Sequence, residues 1–271
     1  MSQSSQVSQL NHLLEKMWVD YGLLNPAAKK IYDLFTMQGE KVVNDHIALR
    51  TFNHKRVGIE VLAKQFKKFG YKESGEYFFT EKKLYAKHFQ HEDTTQPKIF
   101  ISELQLEKCS PFIQSEAEKM VAQIPDNLIE KEDFSMCGRP WKMTYTTYEK
   151  LAKESEYASW VAAYGFRPNH FTVSINHLKK FQDILKLNEF IKANGFRLNS
   201  SGGEVKGTTA DYLEQSSTMA AEIPVKFDDG TFSIPGCYYE FAKRYALENG
   251  QLYQGFVAKS ADKIFESTNK L

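Results

Sequence analysis

Two stretches of the chain follow one plan, and each opens on a strand that carries a histidine. The segment Asn44-Asp45-His46-Ile47-Ala48-Leu49-Arg50-Thr51-Phe52 reads as that strand, and an amphipathic helix ends at Gly70-Tyr71 roughly 25 residues after the histidine. Pro168-Asn169-His170-Phe171-Thr172-Val173-Ser174-Ile175 has the same form, with its helix ending at Gly195-Phe196 after a similar interval. An internal repeat restricts the chain to folds assembled from like units. It also puts two histidines, distant in sequence, at equivalent places, as two metal ligands related by pseudo-symmetry would be.

The order of elements is the same in both copies. After the His46 strand, Ile59, Leu62, Phe66 and Phe69 recur at helical spacing, Tyr71 to Gln90 reads as a hairpin turning near Glu81-Lys82-Lys83, and Lys98 to Leu106 as a further strand. After the His170 strand, Phe181, Ile184, Leu185, Phe190 and Ile191 mark a helix, Asn199 to Gly203 a loop, and the runs Gln215 to Phe227 and Cys237 to Tyr245 the strands. Between those runs, Asp228-Asp229-Gly230-Thr231 signals a tight turn, because Asp-Gly tolerates positive φ. Both copies can be written βαβββ. The expected fold is α+β, with modules at 40–110 and 165–271 forming a cupped mixed sheet, N-terminal helices in 1–39 and a helical connection in 111–164.

Composition narrows the function classes. With 271 residues, 42% of them hydrophobic, the chain can bury one large core or two small ones. Thirty-five basic and 34 acidic residues leave a formal net charge of +1, so no overall field draws the chain to nucleic acid or to a membrane surface. Cys109, Cys137 and Cys237 are too few and too scattered for a disulfide framework and fit a reducing compartment. Met1 to Gln9 lacks the pattern of a signal peptide and reads as a short frayed leader, and no apolar run reaches the ~18 residues of a membrane span. The expectation is a cytoplasmic protein; its oligomeric state is not legible.

Strand geometry selects the candidate site. Side chains alternate across a strand, so His46, Ala48, Arg50 and Phe52 share one face while Ile47, Leu49 and Thr51 share the other. Four residues at about 3.3 Å each put the His46 and Arg50 Cα atoms roughly 13 Å apart, leaving room for a small molecule between a metal and a guanidinium. In the second copy His170, Thr172, Ser174 and Asn176 form the polar face, and in Gly236 to Tyr245 a carboxylate, Glu240, stands among aromatics. Burying it is costly unless it is paired or binds a cation. His46, His170 and Glu240 together make the two-histidine, one-carboxylate set that leaves positions open on iron(II). The plainer account also stands: two structural histidines, with Glu240 paired to Arg244. Glu103 is a rival carboxylate in the matching strand of the first copy. His88 and His91, beside Glu92 and Asp93, read better as a solvated hairpin than as a metal cluster.

The segment Asn44 to Phe52, with Asn169-His170-Phe171-Thr172, Gln215-Ser216-Ser217-Thr218 and Tyr239-Glu240-Phe241, resembles the 2-oxoadipate dioxygenase/decarboxylase family of the vicinal oxygen chelate superfamily, in its short form, from about Val7 to the C-terminus. The resemblance implies two βαβββ modules of vicinal oxygen chelate type around iron(II) held by His46, His170 and Glu240. Zinc or another divalent ion could stand in for iron in a purified sample. It implies a substrate-binding arginine at Arg50, with 2-oxo acid and dioxygen as the small-molecule partners. The implied reaction converts 2-oxoadipate to 2-hydroxyglutarate with loss of carbon dioxide. Gln215 and Ser217 are candidate residues of the pocket rim. Two other classes remain open: an oxygen-independent metal-dependent hydrolase, lyase or isomerase on the same scaffold, and a non-catalytic module using Arg50 for an anion.

Overall fold

A computed structural model describes residues 3–268. Helices α1 (Gln3–Leu24) and α2 (Pro26–Met37) precede the first module, which runs β1 (Asn44–Phe52), α3 (Ile59–Lys68), β2 (Lys72–Phe79), β3 (Leu84–Gln90) and β4 (Lys98–Leu104). The connection holds α4 (Pro111–Ala122), α5 (Asp126–Ile129), α6 (Tyr145–Glu154) and α7 (Glu156–Tyr164). The second module follows as β5 (Pro168–Ser174), α8 (Ile184–Ala193), β6 (Lys206–Thr208), β7 (Leu213–Ser217), β8 (Glu222–Phe227), β9 (Gly230–Pro235) and β10 (Tyr238–Arg244), and α9 (Ala258–Ile264) comes last. The expected leader is helical from Gln3; Met1 and Ser2 lie outside the described residues.

Eight strands form one curled mixed sheet in the order β2-β3-β4-β1-β5-β10-β7-β6. Each half repeats the other: β1 pairs in parallel with β4, β5 in parallel with β10, and the halves join through antiparallel β1 and β5. The two histidine strands are thus neighbours at the centre, and both are buried along almost their whole length. Apolar residues hold helices to the convex face. Trp18 and Tyr21 of α1 pack on Phe171 with ring centroids 5.2 and 4.9 Å away, and Phe35 of α2 meets Phe241 and, from α8, Phe190.

One expectation needs correction. The Asp-Gly turn does close a hairpin, but β8 and β9 form a separate two-stranded ribbon rather than sheet strands, and the fourth strand of the module is β10. Pro224 within β8 and Pro235 at the end of β9 lack the N–H that a ladder needs. The ribbon packs instead on the connection, where Phe232 stacks on Tyr145 at 3.8 Å.

Candidate metal centre

Register across the sheet assembles the site. His46, Thr172, Glu240 and Ser217 lie level on β1, β5, β10 and β7; one step along, His170 is level with Ala48 and Tyr238. Their side chains enter the concave space. His46 Nε2 is 3.5 Å from Glu240 Oε1, and His170 Nε2 is 3.3 Å from Glu240 Oε2. One donor atom from each of the three lies within 4.8 Å of the others, and all three residues are buried. The set can hold a divalent metal.

Each histidine is oriented by the residue before it. The β1–β5 register slips at Asp45 and again at Asn169, the extra residue of a β-bulge in each strand. A bulge re-aims a side chain that alternation would send to the other face. His46 Nδ1–H donates to Asp45 Oδ1 at 2.9 Å, and His170 Nδ1–H to Asn169 Oδ1 at 2.9 Å, which leaves both Nε2 lone pairs facing the centre. Asp45 is held in turn by Arg244, whose Nε and Nη2 donate to its two oxygens at 2.7 and 2.8 Å. Arg244 therefore serves Asp45 and not Glu240. The amide of Gln215 donates to Glu240 Oε1, and the Thr172 hydroxyl lies 3.0 Å from His46 Nε2.

Burial dominates the electrostatics. It lowers His46 against the pull of Asp45, holds His170 well below the usual imidazole range, and pushes the Glu240 carboxyl up to about 8 despite Gln215. At neutral pH and without metal, the neutral acid is favoured at Glu240. A metal requires the carboxylate, so uptake at pH 7 is expected to release about one proton per site. Between the ordinary carboxyl value and about 8 the folded chain binds a proton that the unfolded chain does not, so this group lowers metal-free stability as pH rises through that window. Titrating metal in buffers of different ionisation enthalpy checks the proton release, and melting the metal-free protein across that pH window checks the stability; uptake without proton release would contradict the first.

Arg50 lies two residues beyond Ala48 on the same strand and is 1% exposed. Its Nη1 donates to Glu156 Oε1 at 2.7 Å, and its guanidinium carbon sits 4.9, 5.3 and 5.4 Å from the ring centroids of Tyr157, Trp160 and Phe265. Between His46 and Arg50 the same face of β1 carries only the small side chain of Ala48. The roof comes from α7 of the connection and from the C-terminal segment. Phe256 meets the His46 ring edge-on at 4.8 Å, and the Thr268 hydroxyl donates to Glu156.

Other sequence candidates lie elsewhere or act differently. Gln215 and Ser217 do face inward, but they are buried in the floor rather than at a rim, and the Ser217 hydroxyl is joined to that of Ser267 at 2.8 Å. Glu103 faces the opposite side, where its Oε2 accepts from the Ile59 amide at 2.9 Å and caps α3, which has no side-chain cap at Gly58. Of the hairpin histidines, His88 is buried and His91 is partly exposed. His88 is 1% exposed, joined to Tyr77 and Gln90 and pushed down to about 4 by burial, while His91 bonds the Phe69 carbonyl. Sequence reasoning missed Asp45, Asn169, Glu156 and Tyr238; the Asp or Asn immediately before each histidine was the available signal for the first two.

Comparison with known proteins agrees with this geometry. Residues 4–251 match the model of the family described as 2-oxoadipate dioxygenase/decarboxylase. A chloroplastic protein of Arabidopsis thaliana named 2-oxoadipate dioxygenase/decarboxylase is 35% identical over 283 residues, covering 94% of this chain and 76% of its own. The hydroxyglutarate synthase of Oryza sativa, solved in complex with 2-oxoadipate, is similar with a TM-score of 0.89 at 35% identity, over 97% of this chain and 93% of that one. A Shewanella frigidimarina protein provisionally described as a hydrolase is 52% identical, with a TM-score of 0.88 over 92% of this chain and 97% of its own. Among the described residues no helix is long and apolar enough to cross a membrane.

Proposed function

The chain belongs to the 2-oxoadipate dioxygenase/decarboxylase family, and from that membership we propose an iron(II)-dependent enzyme that converts 2-oxoadipate and dioxygen to 2-hydroxyglutarate and carbon dioxide. The observation that carries this reading is a set of buried polar atoms without hydrogen-bond partners in one space: Glu240 Oε2 and Gln215 Oε1 at the metal end, Arg50 Nε and Nη2 at the other. Buried polar groups are rarely left unpaired. Together these atoms are the imprint of a cation at one end and an anion at the other. A 2-oxo dicarboxylic acid, chelating through its 2-oxo carboxylate and anionic at its far end, complements both.

His46, His170 and Glu240 would hold the metal, a donor set suited to iron(II). Iron there would supply the electron-transfer chemistry with dioxygen by which C1 leaves as carbon dioxide. The chain's own contribution is placement. Asp45 and Asn169 fix the imidazoles, Gln215 orients the carboxylate, Arg50 takes the distal carboxylate, and Tyr157, Trp160, Phe256 and Phe265 keep water out. A cytoplasmic setting fits the three free thiols, Cys109, Cys137 and Cys237.

The test is oxygen consumption by anaerobically iron(II)-loaded protein after 2-oxoadipate is added, with carbon dioxide and acid product followed together. Equimolar consumption and formation are expected. Metal-dependent turnover without oxygen loss would overturn the reading in favour of a hydrolase, lyase or isomerase, the class in which the Shewanella relative is provisionally described.

A further inference from the structure

Tyr238 has its side chain fully buried on the site's face, and apart from the Arg50 guanidinium beside it its hydroxyl has no polar partner. A buried tyrosine hydroxyl ordinarily finds one. Its ring is stacked on His170, centroids 4.5 Å apart and 24° between planes, level with that residue in the β5–β10 register. Arg50 stands on the same face of the sheet, two residues beyond Ala48, and its guanidinium is in side-chain contact with the Tyr238 hydroxyl. A phenol hydroxyl is a donor at neutral pH.

Arg50 supplies the other half. Glu156, itself held by Thr268, occupies Nη1, and the two donors left without partners, Nε and Nη2, form the edge of a guanidinium that takes a carboxylate side-on. A carboxylate offers about four lone-pair sites, enough for three donors. We infer that Tyr238 is a substrate-binding residue whose hydroxyl, with Nε–H and Nη2–H of Arg50, receives the distal carboxylate and selects dicarboxylic over monocarboxylic 2-oxo acids. This rests on the proposed function. A site built from buried donors discriminates strongly against an analogue that leaves them unpaired.

The experiment compares wild type with Tyr238→Phe, which keeps the ring on His170. Binding of 2-oxoadipate and of 2-oxohexanoate, which has a methyl group in place of the distal carboxylate, is measured by calorimetry on anaerobic iron(II)-loaded protein, with metal content and steady-state constants alongside. The variant is expected to bind 2-oxoadipate about 10- to 30-fold more weakly, to bind 2-oxohexanoate as wild type does, and to keep its metal. KM should rise more than kcat falls. Unchanged affinity for 2-oxoadipate, or equal weakening toward both acids, would overturn the role of Tyr238 while leaving the enzyme reading intact. A wild type that binds both acids equally would overturn the distal receptor itself, and one that consumes no oxygen with either acid would overturn the functional reading beneath it.

Discussion

A Glu240→Ala protein is expected to fold, to retain no stoichiometric metal and to consume no oxygen with a 2-oxo acid, and His46→Ala and His170→Ala should behave alike. The three donors converge within 4.8 Å, so loss of one leaves only two protein ligands. Folding should survive at Glu240, because burial already disfavours its ionised form and its hydrogen-bond partner is a neutral amide. Metal-free Glu240→Ala should therefore melt no lower than metal-free wild type at pH 8, which separates loss of the site from loss of the fold. Asp45→Asn makes a graded comparison. The asparagine can still accept from His46, as Asn169 does from His170, but it lowers the charge opposite Arg244. Outer partners of metal ligands typically affect affinity by about 10- to 100-fold, so this variant should bind metal weakly where the ligand variants bind none. Metal analysis on folded protein decides, and full occupancy in all three alanine variants would sink the site.

The repeated strand and helix were legible because each half obeys its own period and both end their helices on a glycine followed by an aromatic. Alternation also grouped His46 with Arg50 correctly, since β1 is regular between them except for the slip at its partner Asn169. Alternation failed where the ladder is irregular. Asp45 and Asn169 should point away from their histidines, and only the bulges bring them round. A carboxylate's role depends on which face it occupies, so nothing local separated Glu240, at the metal centre, from Glu103, capping a helix on the far side. The hairpin around Gly230 was readable from its turn, but whether its strands join the main sheet depends on prolines and on partners in the connection. The roof was invisible for a related reason: Phe256 and Phe265 reach the site from the far end of the chain, and no periodicity marks a contact of that range.

Arg50→Ala is expected to lower kcat/KM for 2-oxoadipate by on the order of 10³, with metal content unchanged, and Arg50→Lys by roughly 10². The difference follows from what each side chain can do in a fixed enclosure. Nη1 of Arg50 satisfies Glu156, while Nε and Nη2 have no partner in the protein and, in the proposed role, would receive the substrate. A lysine brings the charge but only a point donor, so serving Glu156 leaves the substrate carboxylate poorly held, and serving the substrate strands Glu156. An alanine removes both contacts and leaves a substrate carboxylate facing aromatic rings without a counter-charge, the situation in which breaking a buried pair costs about 3–5 kcal/mol. Glu156 is less severely affected, because its side chain is 21% exposed and can recruit water, so the fold should tolerate the change better than the substrate does. The penalty should also depend on the substrate. For 2-oxohexanoate, with no distal charge to receive, wild type and Arg50→Ala should differ by less than about tenfold, since only packing is lost. Equal losses for both acids would show that Arg50 supports the site rather than binding the substrate, and unchanged turnover of 2-oxoadipate by Arg50→Ala would remove the anion receptor from the enzyme altogether.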